Sequence, residues 1–160
     1  MNPASADRSR GVIVETFRIV PHVLALAGAY ALAFPIGWDR ERSERSAGLR
    51  TFPLVAVAAC GFIQATETLL QSSPEATARI VEGLITGIGF IGGGAILKQG
   101  NTVHGTATAA SLWATGAIGA AVGLGSYDVA VAVAVFTVLT LRLLSPLGER
   151  SQADGNTKKT

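Results

Sequence analysis

The residues best suited to chemistry form one charged segment, 37–51. Its charges alternate in sign and include Asp39, Arg40, Glu41, Arg42, Glu44, Arg45 and Arg50. Alternating charges allow ion pairs within the segment or to a neighbouring loop. The alternative is a solvated, positively charged loop that only orients a membrane protein. Arg50 and Thr51 stand where an apolar segment begins, and there a guanidinium can bridge helix ends or a lipid phosphate.

A second group of polar residues opens a later apolar segment. Thr106 is placed to cap a helix, and Thr108, Ser111 and Thr115 follow at helical spacing. Their hydroxyls would share one face, where they would meet Thr86 or bond their own backbone. The nearby His104 lacks a second histidine, cysteine or carboxylate at ligand spacing, so no metal site is predicted.

The remaining motifs do not indicate catalysis or a cofactor. The glycines of 87–92 match the pattern GxGxxG, but no strand precedes them and no acidic residue follows about 20 positions later. The chain has a single cysteine, Cys60, and neither a Ser-His-Asp arrangement nor HExxH. Its formal net charge of +2 is too small to indicate nucleic-acid binding. We expect no enzyme activity, metal or cofactor.

The glycine and apolar residues of the sequence indicate which structural elements hold these polar side chains in place. Of the chain's 19 glycines, 12 lie between Gly83 and Gly125. Such a density would weaken helices in water, but in a bilayer it lets helix backbones pack closely. The chain is 49% hydrophobic and 15% charged, against roughly 25% charged in soluble domains. An all-α membrane protein is therefore predicted.

Five segments are long and apolar enough to be predicted as membrane-spanning helices. They are Ile19–Trp38, Thr51–Leu70, Ile80–Leu97, Thr106–Leu124 and Tyr127–Leu144. The domain organisation is a polar tail over 1–18, a transmembrane domain over 19–145 and a polar tail over 146–160. We predict close helix packing through three small-x-x-x-small pairs, Gly83/Gly87, Gly89/Gly93 and Gly119/Gly123. Alternatively, the run 92–94 unwinds the third span and forms a site.

The charged residues also predict an orientation. Five spans place four Lys and Arg residues on the side of the N-terminus and nine on the other. The N-terminus should therefore face outward and the C-terminus the cytoplasm. Glu67, Glu82 and Asp128 then lie toward the outer ends of helices, and the span midpoints carry no charge. A cleaved signal peptide ending near Ala33 is the weaker interpretation, because Pro35 follows and the rest is membrane-like.

Three blocks in order resemble the MgtC/SapB membrane proteins. They are Asp39-Arg40-Glu41 with 47–51, the glycine-rich block 87–97, and 105–113, within a resemblance that covers about 19–145. Asp39 stands where the family usually has glutamate, Gly93 where it has alanine, and Ala107 where it has threonine. Some members carry a C-terminal cytoplasmic domain similar to ACT domains, to which no part of this sequence corresponds.

The resemblance implies a bacterial inner-membrane protein linked to growth in low magnesium and to survival inside host cells. It implies a modulator of a membrane partner, notably the F-type ATP synthase. Membrane lipid and a second copy of the chain are the other partners that we expect. The alternatives are a transporter of magnesium or another cation and a purely structural oligomer. The polar residues of the three blocks also predict one cytoplasmic cluster, made of Asp39, Arg40, Glu41, Arg50, Thr51, Thr106 and Thr108. Within it, Arg50 would pair with Asp39 or Glu41, or cap a neighbouring helix.

Overall fold

Five helices and one short hairpin make up the part of the chain that the computed structural model describes, residues 19–43, 47–66, 73–100 and 102–157. The helices are α1 (Ile19–Arg42), α2 (Thr51–Ala65), α3 (Pro74–Gly94), α4 (Thr106–Gly123) and α5 (Tyr127–Thr157). Strands β1 (Leu97–Gln99) and β2 (Thr102–His104) join α3 to α4. The predicted helical class is thus correct, apart from this hairpin.

The helix starts follow from local sequence. Ser73 caps α3, because its hydroxyl accepts a hydrogen bond from the Ala76 backbone N–H at 3.3 Å, and Pro74 follows where no N–H is needed. At α2, the backbone N–H groups of Thr51 and Phe52 donate to the Gly48 carbonyl at 3.0 and 3.2 Å. At α4 the residue before the helix is Gly105, whose φ of 87° is a left-handed conformation that suits glycine.

The order of helices in space follows from the packing of small residues. A Cβ on Gly119 would collide with the backbone of Ala56, and one on Gly123 would lie 2.7 Å from the Ile63 Cβ. Residue numbers rise together along this contact, so α2 and α4 run parallel. α3 packs antiparallel on α4, with Ile88 against Gly116 and Gly92 against Ala109.

The buried core lies between α1, α2 and α4. α1 contributes Ala25, Ala29, Ala33 and Ile36, which recur at helical spacing on one face. Phe52, Leu112 and Ile118 are among the largest fully buried side chains. The outward faces are strongly apolar, with Phe90 and Phe136 86% and 71% exposed. This arrangement suits a bundle whose outer surface meets lipid.

Length and composition single out two helices as able to cross a bilayer, Ile19–Arg42 and the Tyr127–Leu144 part of α5, and α2 is a shorter apolar helix. Helix α5 continues to Thr157, so its backbone extends through most of the segment that we predicted as a polar tail. The hairpin pairs Leu97 with His104 and Lys98 with Val103. Its turn contains Gly100 at a φ of 59°, and the Gly-Asn pair at 100–101 is a typical hairpin signal.

Candidate functional site

All five of the described helices and the hairpin meet at one end of the bundle, which we call the charged end. α1 finishes there and α2 begins there, since Gly37 lies against the backbone of Gly48 and Leu49. α3 ends and α4 starts there on either side of the hairpin. α5 contributes Arg142, which lies 4.0 Å from Asp39. The predicted loops one and three therefore lie at the same end.

Asp39 and Arg40 form the most buried ion pair of the described chain. The Arg40 Nη2 donates to Asp39 Oδ2 at 2.7 Å, and Nε approaches the same oxygen at 3.3 Å. The side chain of Arg40 is only 3% exposed and that of Asp39 17%. The Arg142 Nε lies 4.0 Å from the other carboxylate oxygen. Because a buried guanidinium without its counter-ion is costly, Asp39 is a structural anchor of this end.

Glu41 fixes the loop that leads into α2. Its Oε2 accepts a hydrogen bond from the Leu49 backbone N–H at 3.0 Å. A Cβ added to Gly48 would collide with the same carboxylate, so glycine at this position is what lets Glu41 reach the loop. The negative charge predicted for ion pairing instead serves as a backbone acceptor.

Arg50 does not make the predicted pair with Asp39 or Glu41. Its side chain is exposed, and none of the ion pairs among the described residues includes it. Asp39 is already occupied by Arg40 and Arg142, and Glu41 by the loop backbone. Arg50 is the residue before α2, next to the half-buried Thr51. The guanidinium therefore remains available to a group outside the described residues.

The predicted hydroxyl face of α4 exists and is buried. Thr108, Ser111 and Thr115 are at most 3% exposed, whereas Thr106 is exposed at the charged end. Ser111 donates to the Ala107 carbonyl at 2.6 Å and Thr115 to the Ser111 carbonyl at 2.8 Å. The alternative contact with Thr86 is not observed, because Thr86 donates to its own helix at Glu82. Ser111 also lines a cavity of about 260 Å³ between α4 and α5, together with Thr137.

The glycine pairs divide into two groups. Gly119 and Gly123 lie against α2. Around Gly83, Gly87, Gly89 and Gly93 an added Cβ would meet nothing within 4 Å. Those four glycines of α3 therefore make no close helix contact inside the described chain. Gly92 and Gly116, which were outside the predicted pairs, do lie at the α3–α4 contact. α3 also stays helical through Gly94, so the suggested unwinding at 92–94 is not seen.

The acidic residues predicted near the membrane lie away from the charged end. Glu82 and Asp128 are both exposed, and Asp128 is in the first turn of α5. Glu67 lies outside the described residues. Lys98 and His104 are exposed on the hairpin. In the described ranges no group of three or more His, Cys, Asp or Glu residues is placed to hold a metal ion.

Sequence reasoning missed the contribution of Arg142 to this end. The number of predicted spans was the available signal. With five spans, the first and the last run in the same direction, so α1 and α5 end on the same side of the bundle. The hydrogen bond that Glu41 accepts from the loop backbone had no signal in residue spacing.

Comparison with known proteins agrees with the resemblance. The model of the MgtC family matches residues 26–150. Protein MgtC of Salmonella typhimurium is 38% identical over 136 residues, which are 85% of this chain and 58% of the Salmonella protein. Protein MgtC of Brucella abortus is 41% identical over 122 residues, 76% of this chain and 50% of that protein. The chain thus matches little more than half the length of these relatives, and no solved structure matches it. On this evidence the chain belongs to the MgtC family of membrane proteins.

Proposed function

We propose that the chain is a non-enzymatic, multi-pass protein of the bacterial inner membrane that modulates a membrane protein partner. In this proposal all five helices span the bilayer, the N-terminus faces outward, and the charged end and the C-terminus face the cytoplasm. The partner is bound through helix contacts in the membrane. The F-type ATP synthase, named by the family resemblance, is the partner to test first, under growth in low magnesium.

One observation favours the modulator over a transporter. Where α2 and α4 cross, the centre of the bundle is filled by direct contact, with Gly119 against Ala56 and Gly123 against Ile63. The buried Arg40 and the half-buried Asp39 stand at one end of the described chain and neutralise each other. A centre packed this closely offers no room for a hydrated ion between these two helices. Such close packing suits a rigid protein that acts through its outer surface.

The open glycines of α3 offer a surface for such contact. A Cβ added to Gly89 or Gly93 would meet nothing within 4 Å, and both residues are exposed. Small residues spaced in this way let a second helix approach closely in a bilayer. The same surface would also serve self-association, so a homo-oligomer remains part of the proposal.

The test compares a deletion strain with its parent for growth in low magnesium and for cellular ATP. A modulator should change ATP on deletion, and the chain should co-purify with a membrane complex in mild detergent. The Gly93→Leu variant should reduce that co-purification, because the added side chain blocks close helix approach. An unchanged ATP level together with a tagged protein that purifies alone would refute the modulator.

Cation transport is the second candidate, and one observation favours it. The cavity between α4 and α5 is lined by the hydroxyl residues Ser111, Thr137 and Thr140, and hydroxyl oxygens can act as cation ligands. Transport predicts magnesium flux into liposomes containing the purified protein, with loss of flux in Ser111→Ala. Neutralising Glu82 or Asp128 should also reduce flux if these carboxylates attract the ion. Liposomes that show no flux above protein-free controls would exclude this candidate.

A further inference from the structure

A long apolar groove runs between α2 and α3. Its volume is about 730 Å³, and it extends along α2 from Arg50 to Thr66 and along α3 from Ile80 to Ile91. The groove exists because α3 packs on α4 and touches α2 only slightly. It is deepened by Gly83 and Gly87, which present no side chain to it.

The polar groups of this groove are concentrated at one end. Leu54, Ala58, Phe62 and other apolar residues form most of its wall. At the far end the Thr66 hydroxyl is already engaged, since it lies 2.9 Å from the carbonyl of Phe62 and 3.0 Å from that of Ile63. At the charged end stand Arg50 and Thr51, and the Arg50 guanidinium has no ion-pair partner in the described chain. The groove therefore has a cationic head and an apolar body.

We propose that this groove binds one diacyl phospholipid with an anionic headgroup. The phosphate lies on Arg50, beside the Thr51 hydroxyl, and an acyl chain follows the groove toward Gly87. The guanidinium suits this role, because its planar fork can donate two hydrogen bonds to a phosphate. Charge and shape both match a phospholipid, which carries one charged group at the end of long hydrocarbon chains.

The dimensions agree with a lipid of one leaflet. The hydrocarbon core of a bilayer is about 30 Å thick, so one leaflet covers about 15 Å. At a rise of about 1.5 Å per residue, ten residues of α2 beyond Arg50 span that depth. Since α3 runs in the opposite direction, Gly87 lies about 6 Å deeper than Ile91, well within the reach of one acyl chain.

A partner helix is the competing occupant. A helix laid along the groove would leave the Arg50 charge facing its side rather than an anion. The lipid proposal requires α2 and α3 to face the bilayer but does not depend on the modulator role, so the two can fail separately.

Native mass spectrometry of the purified protein in detergent tests the proposal with palmitoyl-oleoyl phosphatidylglycerol as the probe. Wild type should bind one such lipid at least about tenfold more tightly than diacylglycerol with the same chains, since charge-assisted hydrogen bonds contribute about 1.5–3 kcal/mol. Arg50→Gln should lose that preference, and Arg50→Lys should keep part of it. Equal binding of both lipids, or full preference in Arg50→Gln, would overturn the proposal.

The chain offers a matched pair to test the apolar body of the groove. Gly87→Leu places a side chain in the groove, whereas Gly89→Leu adds the same side chain to α3 outside it. Neither added Cβ meets an atom within 4 Å, so both variants should fold, which circular dichroism and gel filtration verify. Gly87→Leu should weaken lipid binding about tenfold or more while Gly89→Leu binds as wild type. Equal binding by both variants would contradict the proposed position of the chain.

A photo-crosslinker at Leu54 identifies the occupant in the membrane. The lipid proposal predicts a phospholipid adduct that is lost in Gly87→Leu. A protein adduct at Leu54 in place of the lipid would show that a partner helix fills the groove, and the proposal would then be wrong.

Discussion

Adding one methyl group at Gly119 should separate α2 from α4. The new Cβ would collide with the Ala56 carbonyl oxygen and would lie 2.8 and 2.9 Å from its carbonyl carbon and Cα. Ordinary contacts of a Cβ begin at 3.4 Å, and the carbonyl oxygen is the nearest atom, so the two backbones must move apart by at least about 1 Å. A gap of this size forfeits a quarter or more of the dispersion energy of the contacts around it. Overpacking of this kind costs about 1–3 kcal/mol.

The comparison with Gly87→Ala isolates that cost. Both substitutions replace a mid-helix glycine with alanine, so the change in helix propensity, about 1 kcal/mol, cancels between them. The Cβ at Gly87 meets nothing within 4 Å. Reversible unfolding in mixed micelles, followed by far-UV circular dichroism, should give Gly119→Ala a free energy of unfolding about 1–3 kcal/mol below that of Gly87→Ala. Equal stabilities would refute the close α2–α4 contact.

Three further predictions concern the charged end. Asp39→Asn should lower the free energy of unfolding by about 3–5 kcal/mol, because Arg40 is left buried without its counter-ion. The same micelle assay measures this change, and a loss below about 1 kcal/mol would contradict the anchoring role of Asp39. Glu41→Ala should speed proteolysis between α1 and α2, since the Leu49 N–H loses its acceptor, whereas Glu41→Gln keeps an acceptor and should resist; identical cleavage of both would count against this contact. Arg50→Lys keeps the positive charge but not the planar fork. Membrane insertion of this variant should therefore be normal, but it should rescue low-magnesium growth of the deletion strain only in part. Full rescue would show that Arg50 serves only to orient the protein in the membrane.

The helix boundaries could be predicted where local sequence determines them. The starts of α2, α4 and α5 agree with the prediction, since Thr51, Thr106 and Tyr127 follow clear breaks in apolar sequence. α3 begins at Pro74 rather than Ile80, because capping by Ser73 extends the helix into a polar region that a hydropathy criterion omits.

Which residues touch across helices could be predicted only in part. The glycine spacing of α3 and that of α4 look alike in sequence, but only Gly119 and Gly123 face a neighbour at close range. Small-residue spacing indicates that an approach is allowed, and the rotation of the helix decides whether it occurs. The partner of Glu41 was likewise determined by the turn of the chain between α1 and α2, and the contact of Arg142 with Asp39 by the packing of α5. Residue types specify neither of them.

Helix α2 has a length that affects the surrounding bilayer. Its 15 residues extend about 22 Å along the helix axis, against about 30 Å for the hydrocarbon core. In the proposed topology the bilayer beside α2 must therefore thin by several ångströms or tilt its lipids to meet the helix ends. Such a mismatch costs a fraction of a kcal/mol per ångström, so the protein should favour thinner regions of the membrane. Its distribution between membranes of different acyl-chain length would then be set by one short helix.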